Sequence, residues 1–191
     1  MNRFVRRTSA AVALALLAPL AMAQVLTFDD IGASGPVPVN YGGLDWSGGA
    51  WQIFDTPQAP YTPHSGSFRA FAEFGAPDAA AAIRFPTPTP FQGAWFSGFD
   101  LVDLHFELFL GGALVATSAS LTPSDVPTFL SSGYAGAVDT VVVTAGGQNF
   151  FTMDDFTLGA VTPAIPEPRT YVLMALGLAV IGLFLFRRRG D

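Results

Sequence analysis

The chain contains no cysteine and no lysine. The first absence excludes a disulfide framework, a thiol enzyme and a zinc–thiolate centre. The second matters because of where the arginines lie. Seven of the nine sit towards the two ends, and the stretch 24–165 holds only Arg69 and Arg84 against thirteen carboxylates, a net charge of −11. Such a segment repels phosphate backbones, so nucleic acid is excluded as a partner. Histidine is scarce too, with only His64 and His105, which leaves general acid–base catalysis poorly supplied. No stretch of the middle shows a convincing helical period. Aromatic residues are abundant there instead: 15 Phe, three Trp and three Tyr, set among Gly and Pro.

The two ends read as sorting segments around one domain. Arg3, Arg6 and Arg7 precede an apolar stretch over 10–20. Ala21-Met22-Ala23 then gives a small-x-small cleavage site before Gln24. This is the layout of an export signal over 1–23, removed on secretion. At the other end, Pro166-Glu167-Pro168 lies within a Pro-containing linker (161–170). An apolar run over 171–186 comes next, and Arg187, Arg188 and Arg189 open a basic tail, 187–191. As a helix the 16-residue run would measure about 24 Å. That is slightly short of a ~30 Å hydrocarbon core, and flanking arginines can snorkel to make up the difference. The sequence therefore predicts one transmembrane helix with its arginines cytoplasmic and everything upstream outside.

That tail resembles the PEP-CTERM sorting signal of Gram-negative bacteria, through the Pro166-Glu167-Pro168 triplet, the apolar segment with Gly177 and Gly182, and the arginine cluster. The same kind of tail also carries the label of an ice-binding protein C-terminal domain, which implies nothing about ice here. The resemblance implies recognition by an exosortase, cleavage near the triplet and delivery to the cell surface. Such proteins associate with exopolysaccharide and biofilm matrix, so an extracellular polysaccharide is the implied partner.

For residues 24–160 the expectation is an all-β ectodomain, an antiparallel β-sandwich or jelly roll. Short aromatic and β-branched runs broken by turn residues carry this reading. Leu104, Phe106, Leu108 and Leu110 alternate with Asp103, His105, Glu107 and Phe109, and Gly111-Gly112 supplies a hairpin turn into 113–120. A second hairpin is expected over 139–158, turning at Gly146-Gly147-Gln148. A short helical turn fits 76–82, though Pro77 and Asp78 also suit a loop. The run Pro86-Thr87-Pro88-Thr89-Pro90 reads as an extended connection rather than a strand. Three short segments, 26–30, 41–46 and 151–156, resemble PEP-CTERM ectodomains, and that resemblance implies a galactose-binding-like or carbohydrate-binding jelly roll.

Several residue groups invite chemistry. Asp29 and Asp30 follow the first strand, and Asp154 and Asp155 lie in the last. Terminal strands of a jelly roll lie close together, so four carboxylates could converge on a structural Ca²⁺. Alternatively each pair splits, one Asp outward and one capping a turn. Trp46 and Trp51 could stack on sugar faces, as could Tyr41 and Tyr61. Alternatively they fill the core of a domain short of Leu and Ile. His64 lies in a Pro-Ser-Gly loop beside Ser65 and Ser67, but neighbours in sequence rarely give triad geometry, and no Gly-x-Ser-x-Gly elbow is present. Asp103, His105 and Glu107 share one strand face, which suits solvent as well as it suits a metal. Thirteen acids always allow some pair at glycosidase spacing. The expectation is an exported surface protein without enzymatic activity. A carbohydrate-binding module is the alternative, and a secreted hydrolase is a weaker one.

Overall fold

The computed structural model of the chain describes residues 23–72, 81–101, 103–145 and 150–159. The signal segment up to residue 22, residues 76–80 of the expected helical turn, Gly146-Gly147-Gln148 of the second turn, the linker, the apolar run and the basic tail lie outside the described residues. Among those described, no helix is long and apolar enough to cross a membrane.

Ten strands form among the described residues: β1 (Gln24–Leu26), β2 (Gly35–Pro36), β3 (Trp51–Phe54), β4 (Arg69–Ala72), β5 (Ala82–Gly98), β6 (Leu104–Leu110), β7 (Ala113–Thr117), β8 (Thr128–Ser131), β9 (Ala137–Ala145) and β10 (Phe151–Leu158). The path of neighbours is β2-β3-β4-β10-β5-β9-β6-β7, with β1 on β10 and β8 on β5. Every pairing is antiparallel, as the composition suggests.

β5 belongs to two sheets. Its first part pairs with β9, from Ala82↔Val142 to Pro90↔Ala137. Its last part pairs with β10 and β8, as in Met153↔Phe96 and Ala94↔Leu130. Pairing lapses between Arg84 and Thr89, where Pro86 and Pro88 have no N–H to offer. The proline run is therefore the middle of one long strand rather than a separate connection. Its extended backbone is what proline favours, and the lost ladder bonds mark the corner between the sheets.

The hairpin expected over 139–158 does not form. β9 and β10 are both present, but β5 lies between them, and they belong to different sheets. Glycines between two strands permit a tight turn but do not require the strands they join to be partners. The first hairpin does form. Gly111 and Gly112 both take positive φ (59° and 78°), the backbone a twist-matched two-residue turn requires. Leu104, Phe106 and Leu108 are fully buried, but Leu110 is 38% exposed. It abuts the turn, paired only with Ala113.

The two sheets meet through aromatic rings. Phe106 of β6 touches Phe91 and Phe96 of β5, at 4.8 and 5.6 Å between centroids. Trp46 sits edge-on to Phe28, Trp51 and Phe156 at 5.7–5.8 Å. Each such pair adds about 0.5–1.5 kcal/mol beyond area burial. Trp46 and Trp51 are each 2% exposed, so neither presents a face to a sugar. The stacking role expected for them is corrected: with few large aliphatics available, the indoles fill the core.

Candidate functional site

Alternation along β3 sends Trp51 and Ile53 into the core and Gln52 and Phe54 to the opposite face. On β4, Ala70 and Ala72 point inward, which leaves Arg69 and Phe71 on that same outer face. Thr152 and Asp154 of β10, and Trp95 and Ser97 of β5, continue it. Yet Arg69, Ser97, Thr152 and Asp154 are all nearly inaccessible, at 1–3% exposure. The loop 55–68, between β3 and β4, folds over them.

Buried charges of both signs hold that loop. Arg69 Nη1 donates to the carbonyls of Ser67 (3.0 Å) and Phe54 (3.4 Å), and Nη2 donates to that of Thr56 (2.6 Å). Its guanidinium carbon lies 3.8 Å from the Phe54 ring centroid. Burial pulls the Arg69 guanidinium below its usual range, against the fields of Asp55 and Asp154. On the acidic side, Asp29 Oδ1 accepts the amides of Ser67 (2.8 Å) and Phe68 (3.0 Å). Gly66, at φ +49°, packs so close to this carboxylate that a Cβ would collide with it. Asp154 Oδ2 accepts the amides of His64 (2.8 Å) and Ser65 (2.9 Å), and its Oδ1 accepts the Asp155 amide (2.7 Å). Burial pushes the Asp154 carboxyl up to about 6, against the pull of those amides.

Asp155 bridges two side chains. Its Oδ2 lies 2.6 Å from His64 Nδ1, and its Oδ1 accepts the Ser65 hydroxyl at 2.7 Å. Asp155 sits at φ +47°, where the β5–β10 register shifts between Asp154 and Thr157. The bulge turns its carboxylate towards the loop. The His64 ring stacks on the Trp95 ring at 3.5 Å and 11°. Serine, histidine and aspartate thus meet, but in the order of a staple. The Ser65 hydroxyl is bonded to the carboxylate rather than to the imidazole, so the nucleophile–base bond of a hydrolytic triad is absent from this trio.

Three of the four aspartates proposed for Ca²⁺, Asp29, Asp154 and Asp155, are brought to the same loop, because β1 does pair with β10 (Leu26↔Phe156), whereas Asp30 turns to Tyr41. They do not form a cation cage. Their oxygens meet N–H and O–H donors, including the Tyr41 hydroxyl on Asp30 Oδ1 at 2.6 Å. Burial and Asp30 push that phenol well above its ordinary range, so it remains a donor. Among the described residues no group of three or more His, Asp or Glu could hold a metal. The calcium expectation is corrected accordingly: backbone amides and hydroxyls do what a cation was invoked to do. Asp103, His105 and Glu107 do not make such a group either, and Asp103 instead accepts the Thr122 hydroxyl at 2.8 Å. Gln24 opens β1 and bonds the Gly42 carbonyl at 3.2 Å. Ala21 and the sorting residues Pro166, Glu167, Pro168, Arg187, Arg188 and Arg189 lie outside the described residues.

Beside the stapled loop is an open cleft of about 540 Å³, lined by residues of β3, β4, the start of β10 and the loop itself. Phe71, Phe54 and Tyr61 form a run of edge-to-face rings, at 5.5 Å and 6.4 Å, which continues to Phe99 at 5.6 Å. Gln52, Thr56 and Gln58 stand around them. Tyr61 is one of the aromatics that the sequence offers for stacking on a sugar. The others are not, although the Gln52/Phe54 alternation against Trp51/Ile53 was the available signal.

No curated protein matches the chain. Residues 164–189 match the PEP-CTERM protein-sorting motif, a signal that implies an exported protein of the cell surface.

Proposed function

We propose that this is a non-enzymatic surface protein, tethered on export by a membrane helix over 171–186, handed to an exosortase and then associated with extracellular polysaccharide. The observation that carries the reading is the sorting motif at 164–189. The ectodomain supports it in two ways. The groups that could have served hydrolysis, His64, Ser65, Asp154 and Asp155, are engaged in fixing a loop. The antiparallel sandwich is also compatible with a galactose-binding-like jelly roll, an architecture that hosts carbohydrate recognition.

The test is fractionation of cells that make the full chain and a variant carrying Pro166→Ala, Glu167→Ala and Pro168→Ala. The wild-type protein is expected in the surface and matrix fractions, and the variant is expected to stay in the inner membrane. Equal distribution of the two would overturn the sorting role. Absence of the wild-type protein from the polysaccharide fraction would overturn the matrix association.

A further inference from the structure

The cleft between β3, β4 and the stapled loop has an unusual lining for this molecule. The domain carries thirteen carboxylates, yet none of the described residues that line the cleft is charged. Its floor is aromatic, with Phe54, Phe71 and Tyr61 presenting ring surface. Its rim holds the Gln52 and Gln58 amides and the Thr56 hydroxyl, with the Tyr61 hydroxyl beside them. None of these four side chains bonds another described residue. Each amide offers donors and an acceptor together, and each hydroxyl offers both. Burial pushes the Tyr61 phenol above its ordinary range, so it keeps its proton.

We infer that this cleft binds an uncharged carbohydrate chain, an assignment that rests on the polysaccharide association proposed above. A sugar ring has an apolar face of C–H groups and a rim of hydroxyls that give and accept hydrogen bonds. The aromatic floor matches the first and the amide–hydroxyl rim matches the second. A lipid tail would leave the four rim groups unanswered, and burying unpaired polar groups is costly. An acidic polymer would meet no cation among the described residues that line the cleft, and a domain of net charge −11 around it. The volume, about 540 Å³, falls within the roughly 300–1,000 Å³ of small-molecule sites. The staple contributes directly: Thr56, Gln58 and Tyr61 belong to the loop that Arg69 and the aspartates hold down.

The test uses the full-length protein in detergent on an array of neutral glucans, galactans and mannans beside alginate and hyaluronate. Binding to at least one neutral polymer is expected, insensitive to salt. Gln58→Ala removes an exposed side chain that bonds no other described residue and is expected to weaken binding about threefold to tenfold. Tyr61→Ala is expected to weaken it at least as much. Val126→Ala, an exposed change outside the cleft, is expected to leave it unchanged. Thermal melting checks that each variant is folded. Binding to a neutral polymer that survives both cleft variants would overturn the cleft and leave the polysaccharide association standing. Binding to the acidic polymers alone would overturn the ligand class. Binding to none of them would overturn the cleft together with the association it rests on.

Discussion

Asp154 is the residue through which pH reaches this fold. It lies 3% exposed beneath the loop, with Asp155 beside it and Arg69 near enough to be felt. Its carboxyl ionises at about 6 in the folded protein against an ordinary 3.8. The folded state therefore holds this proton more tightly than the unfolded chain. The resulting stability is fully present below about pH 4, falls as pH rises towards 6, and is gone above it. The gap corresponds to about 3 kcal/mol at most. Urea unfolding of the wild type and Asp154→Asn from pH 4 to 7 reads it out. The wild type is expected to lose stability relative to the variant across pH 4–6, with the difference constant above. Parallel profiles would refute this. The aspartate pairs were visible in the sequence as conspicuous acids. Their partners were not, because His64 and Ser65 lie about ninety positions away, and nothing local in an Asp-Asp pair distinguishes an amide clamp from a metal cage.

At the scale of elements, the 55–68 loop depends on one buried cation. Arg69 supports three carbonyls, and its removal leaves them without that donor. Arg69→Met keeps the length of the stem and is expected to cost about 3–5 kcal/mol and to admit protease within 55–68. Arg84→Met, on an exposed site of β5, is expected to cost less than about 1 kcal/mol. Denaturant titration and limited proteolysis distinguish the two; equal losses would mean that Arg69 does not organise the loop. Local pattern revealed β6 and its hairpin, since alternation and two glycines suffice to specify them. It misread β5 and the β9–β10 link for a common reason. A strand that turns a corner between sheets contains prolines where its ladder lapses, and the strand inserted between two others is distant in sequence from both.

At the scale of the whole molecule, information is divided between the ends and the middle. The ends speak through contiguous features: three early arginines, an Ala-Met-Ala site, a PEP triplet, an apolar run and a closing arginine cluster. Such signals are read as linear strings, so the sequence displays them without a fold. The middle works through surfaces assembled from distant strands. The sequence therefore announced aromatic abundance but could not assign Trp46 and Trp51 to the core and Phe54, Tyr61 and Phe71 to the cleft. Strong negative charge keeps the domain soluble and discourages contact with acidic polymers, while the uncharged cleft leaves one route to a neutral one. We propose that the tail is a sorting signal, cut near the triplet by a membrane exosortase before the protein reaches the surface. The intact mass of the protein isolated from its native envelope tests it most directly. A species that begins at Gln24 and ends near Pro166–Pro168 is expected. A species that still ends at Asp191 would contradict it.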